Sequence, residues 1–95
     1  MKLYVLIRDD LSNSQKAVQS GHVVAKFASK RQDINWDNQH FVYLTVSKFQ
    51  LKKYMNELDI NDIQYELFRE PDIGNQITSI ACLSKDNSFK KLNLL

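Results

Sequence analysis

Apolar residues fall along this chain in two kinds of pattern. "KLYVLIR" (Lys2 to Arg8) and "HFVYLTVS" (His40 to Ser47) are apolar without alternation, as expected of strands covered on both faces. "NDIQYELFRE" alternates through Ile63, Tyr65 and Leu67, and "QITSIACLS" follows it; these read as a third and a fourth strand. Between the strands the period changes to that of a helix. Ser12 followed by Gln15, and Ser47 followed by Gln50, have capping-box spacing, so a helix is expected to start at each. The second places Leu51, Tyr54, Met55 and Leu58 on a one-sided core stripe.

The first helix, running to about Lys30, is less simple. Ala17, Val18, Gly21, Val24, Ala25 and Ala28 cluster on one side, with Val23 and Phe27 nearly opposite. A polar stripe of Gln15, Gln19, His22 and Lys26 runs between them. Two apolar faces each need a cover. The small residues of the first permit a close approach to the sheet. The Val23/Phe27 face then meets another part of the fold or a second subunit. "RQDINWDNQ" is a polar connection with Trp36 as its expected anchor.

The resulting order, β-α-β-α-β-β, predicts a single α/β domain over residues 1–95, with a mixed four-stranded sheet and helices packed on it. The last two strands are expected to be antiparallel, joined by the corner "EPDIGN", which holds the one proline and one of the two glycines.

Composition narrows the function classes. Hydrophobic residues are 43% and charged residues 25% of 95, ordinary for a globular protein. No apolar run approaches the ~20 residues of a membrane span, and "MKLYVLIRDD" lacks a signal-peptide cleavage pattern. A cytoplasmic protein with no membrane partner is expected. The one cysteine, Cys82, lies in a β-like run and reads as a small buried hydrophobe. With two glycines in the whole chain there is no phosphate loop. No Cys/His cluster has metal-ligand spacing, so neither a metal nor a cofactor is expected. Net charge is +2 but segregated. Residues 11–32 carry Lys16, Lys26, Lys30 and Arg31 without a carboxylate, whereas residues 57–72 carry six carboxylates against one arginine. A basic helix of this kind is either a solvated face or a phosphate-facing surface.

"IRDDLSNSQKAVQSGHVVAKF" resembles the first strand and helix of the type 2 peptidyl-tRNA hydrolases, which read Arg-x-Asp-Leu and then Gly-Lys-x-x-x-Gln-x-x-His-Ala. Arg8, Asp10 and Leu11 match the opening, and Gln19 and His22 match the helix. Trp36 and Gln39 fit the segment before the second strand. "EPDIGNQ" is similar to the family's Asp-Ala-Gly-x-Thr turn, with Asp72 and Gly74 in register. "FKKLNLL" is similar to its Leu-Lys-Leu-Leu ending. The resemblance spans nearly the whole chain. It implies a mixed four-stranded sheet, often a dimer, acting on the ester that joins a stranded peptide to tRNA.

Two of the polar groups that the resemblance assigns to catalysis are replaced. The family's helix lysine falls on Gln15, with Lys16 one residue along and about 100° round the helix. Its turn threonine falls on Gln76, with Thr78 two residues downstream. Ester hydrolysis needs an oriented water and a donor for the oxyanion. A glutamine amide is a neutral substitute for an ammonium. Asp72 is the remaining catalytic candidate, able to hold a water. The expected ligand site is a hollow in which Gln15, Gln19 and His22 face Asp72, rimmed by Arg8, Lys16 and Lys26 and completed by Gly74, Asn75 and Thr78. Such groups suit amide and base-edge hydrogen bonds and phosphate.

Each residue also has a structural role to fill. Gln15 is a cap partner for Ser12, Asp72 a turn residue, Arg8 an ion-pair partner for Asp10 or Glu70, and His22 a satisfied buried histidine. Three functions follow from the same residues. The first is a relative of the hydrolases that binds tRNA or a nucleotide with little or no hydrolysis, including sequestration of a signalling nucleotide between two subunits. The second is an active hydrolase in which Lys16, Lys26 or Arg8 supplies the charge. The third is a protein-interaction module docking through Val23 and Phe27.

Overall fold

The computed structural model describes residues 2–31, 40–84, 89 and 93–94. Its elements run β1 (Lys2–Arg8), α1 (Asn13–Lys30), β2 (Phe41–Val46), α2 (Lys48–Ile60), β3 (Tyr65–Glu70), a short 3₁₀ turn (Pro71–Ile73), β4 (Gln76–Ser84) and β5 (Asn93–Leu94). The sheet order is β3-β4-β1-β2-β5. β1 pairs parallel with β2 and antiparallel with β4, and β3 pairs antiparallel with β4. The expected mixed four-stranded α/β sheet is therefore present, and β5 adds two residues antiparallel to β2. Trp36, Gln39 and most of the "FKKLNLL" ending lie outside the described residues.

Both helices start where the capping boxes predict. The Ser12 hydroxyl accepts from the Gln15 backbone N–H, and the Gln15 side chain accepts from the Ser12 N–H; Ser47 and Gln50 repeat the arrangement. Each box satisfies two N–H groups that a helix start leaves unpaired.

β1 is the centre of the molecule because both of its faces are covered. Leu3, Val5 and Ile7 pack with Val23 and Phe27 of α1. Tyr4 and Leu6 pack with Leu51 and Leu58 of α2. The helices thus lie on opposite faces of the sheet. Cys82 is fully buried among the α2-side residues, and loss of hydration pushes its thiol up to about 12, which keeps it a neutral packing group.

The side of α1 that meets the sheet differs from the expectation. Gln19, Ser20, Val23 and Phe27 are buried, while Ala17, Val18, Gly21, Ala25 and Ala28 are exposed. The stripe that docks is half polar because β4 supplies hydroxyls to match it: Ser79 Oγ donates to the Gln19 carbonyl at 3.0 Å. Val23 and Phe27 are accordingly core residues, and the small-residue face is turned outward.

The corner after β3 is set by three residues. Pro71 opens the 3₁₀ turn, where its fixed φ suits the first position. Gly74 (φ 70) and Asn75 (φ 59) then both take left-handed backbone, the conformation that glycine and asparagine tolerate best. The two glycines should respond oppositely to alanine. Gly21 is helical and exposed, with nothing within 4 Å of an added Cβ, so Gly21→Ala is expected to stabilise by about 0.8 kcal/mol. Gly74→Ala is expected to destabilise by about 1–2 kcal/mol. Urea unfolding of the two variants measures both signs.

Candidate functional site

β1 and β3 end, and α1, α2 and β4 begin, at the same end of the sheet. The proline corner lies there between two concavities, one on each face. On the α1 face a hollow of about 230 Å³ is lined by Gln15, Gln19, Glu70, Asp72 and Thr78 together with Leu11, Ser14, Val18 and Ile73. Its polar wall is one connected system. Thr78 Oγ1 donates to Gln19 Oε1 at 2.9 Å, and Gln19 Nε2 donates to Glu70 Oε2 at 2.6 Å. Glu70 Oε1 accepts from the Asp72 backbone N–H at 3.2 Å. These donors, with the Gln19 amide foremost, hold the Glu70 carboxyl below the usual carboxylate range. Glu70 is thus held as a carboxylate rather than poised as a base.

The position of Thr78 depends on an irregularity in β4. Phe68 pairs with Ser79 and Arg69 with Ile77, so Thr78 is skipped. This is the pattern of a β-bulge, in which two residues of one strand oppose one of the other. Ile77 and Ile80 pack on the α2 face, whereas Thr78 and Ser79 both turn to α1 and grip Gln19. Thr78, rather than Gln76, is therefore the hydroxyl residue that shares a hollow with Asp72.

On the α2 face a groove of about 330 Å³ has a floor of Leu51, Met55 and Ile77. Arg8, Lys48, Lys52 and Arg69 line it, with Gly74, Asn75 and Gln76 from the corner. Arg8 is 5% exposed and forms a bidentate pair with Asp10, Nε to Oδ1 at 2.9 Å and Nη2 to Oδ2 at 2.7 Å. Its Nη1 donates to Gln76 Oε1 at 2.8 Å. The guanidinium holds the Asp10 carboxyl below its usual range.

The expected site residues are thus divided. Gln15, Gln19, Asp72 and Thr78 share the α1-side hollow, with Gln15 also closing the helix cap. Arg8, Gly74 and Asn75 open to the other face. Arg8 follows Tyr4 and Leu6 in the alternation of β1, and these point to α2. His22 does not line the hollow; its ring stacks on Phe68 at 4.4 Å and 4°. Lys26 Nζ donates to the Leu67 carbonyl at 2.8 Å, and Lys16 lines neither concavity. Glu70, central to the hydrogen-bond chain, was not among the candidates. Its signal was the alternation Glu66, Phe68, Glu70, which puts all three on the α1 face, where Glu66 pairs with Arg31 at 2.7 Å. Among the described residues no group of three metal-binding side chains converges, and no helix is long and apolar enough to cross a membrane.

No family model and no curated protein sequence matches the chain. Among solved structures it is similar to a protein of unknown function, Atu0240 from Agrobacterium tumefaciens strain C58. The TM-score is 0.77 at 18% identity, over 99% of this chain and 96% of that one. That likeness establishes the fold.

Two substitutions probe the two faces. Gln19→Ala takes from the fully buried Thr78 hydroxyl its acceptor at 2.9 Å and leaves it the Phe68 carbonyl at 3.5 Å. A cost of about 2 kcal/mol is expected, lowering Tm by roughly 8–16 °C. Much of it should be recovered when Thr78→Val is added, because the poorly paired hydroxyl is then gone. Asp10→Asn tests the ion pair. A carboxyl with a lowered folded pKa stabilises above its unfolded value, near 4, and loses that contribution as pH falls through the folded value. Since Asp10 is half exposed, a cost of about 1 kcal/mol is expected at pH 7. The difference from wild type should shrink as pH falls below the unfolded value and close once the folded carboxyl is protonated, as read in urea titrations.

Proposed function

We propose that this chain is a peptidyl-tRNA hydrolase-like protein that binds tRNA or a nucleotide ligand with little or no hydrolysis of an aminoacyl ester. The observation that carries the reading is the composition of the α1-side hollow. It combines amides and a hydroxyl with two carboxylates, and among the described residues lining it there is no cation.

An oxyanion forming beside Asp72 would meet neutral donors only, and loss of a strong donor from such a site costs about 10²–10³ in rate. The three candidate cations do not compensate, and the nearest in sequence, Lys16, does not line the hollow. Lys26 is bonded to the Leu67 carbonyl, and Arg8 is on the other face of the sheet and paired with Asp10. The same amides, hydroxyl and carboxylates are the groups that recognise base edges, where glutamine reads adenine and carboxylates accept from exocyclic amines. The cations on the other side of the corner supply the attraction for phosphate. The order of the matching residues along the chain, Arg8, Asp10, Gln19, His22, Asp72 and Gly74, supports the family assignment within this proposal. A dimer belongs to the same proposal.

The reading is tested with purified protein at ~0.15 M salt. Saturable binding of tRNA or of a mononucleotide is expected. Release of tRNA from an N-acyl-aminoacyl-tRNA should stay within a few-fold of buffer. Turnover that disappears in Asp72→Asn would replace this reading with that of a working hydrolase. No saturable binding of either ligand would end it.

A further inference from the structure

The hollow on the α1 face holds four of the residues that the sequence singles out, Gln15, Gln19, Asp72 and Thr78, but it lacks the charge to hold a phosphate. The groove on the α2 face has that charge. Lys48, Lys52 and Arg69 line it with Arg8, and no carboxylate is among its described lining residues. Asp10 offsets Arg8 from the margin and also interacts electrostatically with Lys48, whereas Lys52 forms no ion pair among the described residues. Two lysines are thus held beside one arginine that is itself hydrogen-bonded in place: Arg69 Nη1 donates to the Asn75 carbonyl at 3.3 Å.

A second observation lies beside the groove on α2, at the residue that follows Lys48 and does not itself line it. Phe49 is 80% exposed, an unusual position for an aromatic ring in the first turn of an amphipathic helix. Its i+3 and i+4 neighbours are Lys52 and Lys53, so the ring lies between cationic side chains on the helix surface. An exposed aromatic among lysines is the arrangement that stacks a base while the cations track the adjoining phosphate. The opposite wall supplies the side-chain amides of Asn75 and Gln76, from the end of the corner and the start of β4.

We propose that this groove, between the first turns of α2 and the outer side of the proline corner, is the phosphate site, taking a nucleotide phosphate whose base stacks on Phe49. The inference rests on the nucleotide-binding reading above, seats the phosphate among the groove's cations and moves the base contact from the α1-side hollow to Phe49. The ligand is a free nucleotide or the unpaired end of an RNA, which present the same phosphate and base.

The test uses the full chain, with fluorescein-labelled oligoadenylate and AMP as probes and inorganic phosphate as competitor. Lys48→Gln/Lys52→Gln removes two positive charges from exposed positions. Lys30→Glu, at the far end of α1, changes the net charge by the same amount and is the control. The groove variant is expected to bind oligoadenylate at least roughly tenfold more weakly at ~0.15 M salt, with the log–log salt slope reduced by about 1.4. The control should stay within about twofold. Phe49→Ala should lose roughly five- to a hundredfold with the slope unchanged. AMP competing where equal inorganic phosphate does not supports the base contact, and equal competition by the two overturns it. AMP binding with the same residue dependence identifies the source as a free nucleotide, and binding of oligoadenylate alone identifies an RNA end. If wild type binds and the groove variant binds equally well, this location is wrong while the function stands. If wild type binds neither probe, both fall. Circular dichroism confirms that each variant is folded.

Discussion

The arrangement of this molecule depends on how one residue of α1, Gln19, is held. Its backbone carbonyl and its side-chain carbonyl accept from adjacent hydroxyls of β4, and its amide nitrogen reaches the last residue of β3. A buried amide is costly to hold away from water unless every part of it is paired. Here the pairing ties α1 to two strands that are distant from it in sequence, β3 and β4. It fixes the rotation of α1 about its axis and the distance from the helix to the proline corner. The polar hollow is the space left over once those bonds are made.

That constraint also explains why the sheet needs a bulge. A regular strand would send Thr78 and Ser79 to opposite faces, and only one hydroxyl would reach the helix. Skipping Thr78 in the pairing keeps both on the same side, after which Ile77 returns to the α2 face. The bulge therefore serves two layers: it completes the polar clasp on one and preserves the apolar packing on the other. The corner that follows completes the separation, with Asp72 and Ile73 facing the hollow and Gly74 and Asn75 facing the groove.

The order of elements was legible because each had a local marker. Two capping boxes fixed the helix starts, two-sided apolar runs identified the central strands, and the Pro71–Gly74 pair located the last corner. The facing of α1 was not legible for a definite reason. A hydrophobic wheel scores Gln19 and Ser20 as surface residues, and their burial depends on hydroxyls some sixty positions further along the chain, |i−j| = 60 for the Ser79–Gln19 bond. The split of the candidate site had a similar origin. Arg8 lies next in sequence to residues of both faces, and a strand apolar on both sides gives no sign of which side α1 will cover. The two-residue offset of Thr78 from the family position looked like a loss, because the bulge that restores the residue to the hollow has no glycine to announce it.

The central place of β1 has a consequence for how the chain comes together. Its neighbours are β2, across α1, and β4, whose first paired residue, Ser79, lies opposite Ile7. During synthesis β1 leaves the ribosome long before β4 exists. One face and one edge of β1 are met early, by α1 and β2, but its other edge has no partner until β4 is made, and the loop that must close to supply it spans most of the protein. Such non-local closure slows folding and prolongs the exposure of a sticky segment. Until β4 docks, one edge of the central strand stays open to pairing with other chains.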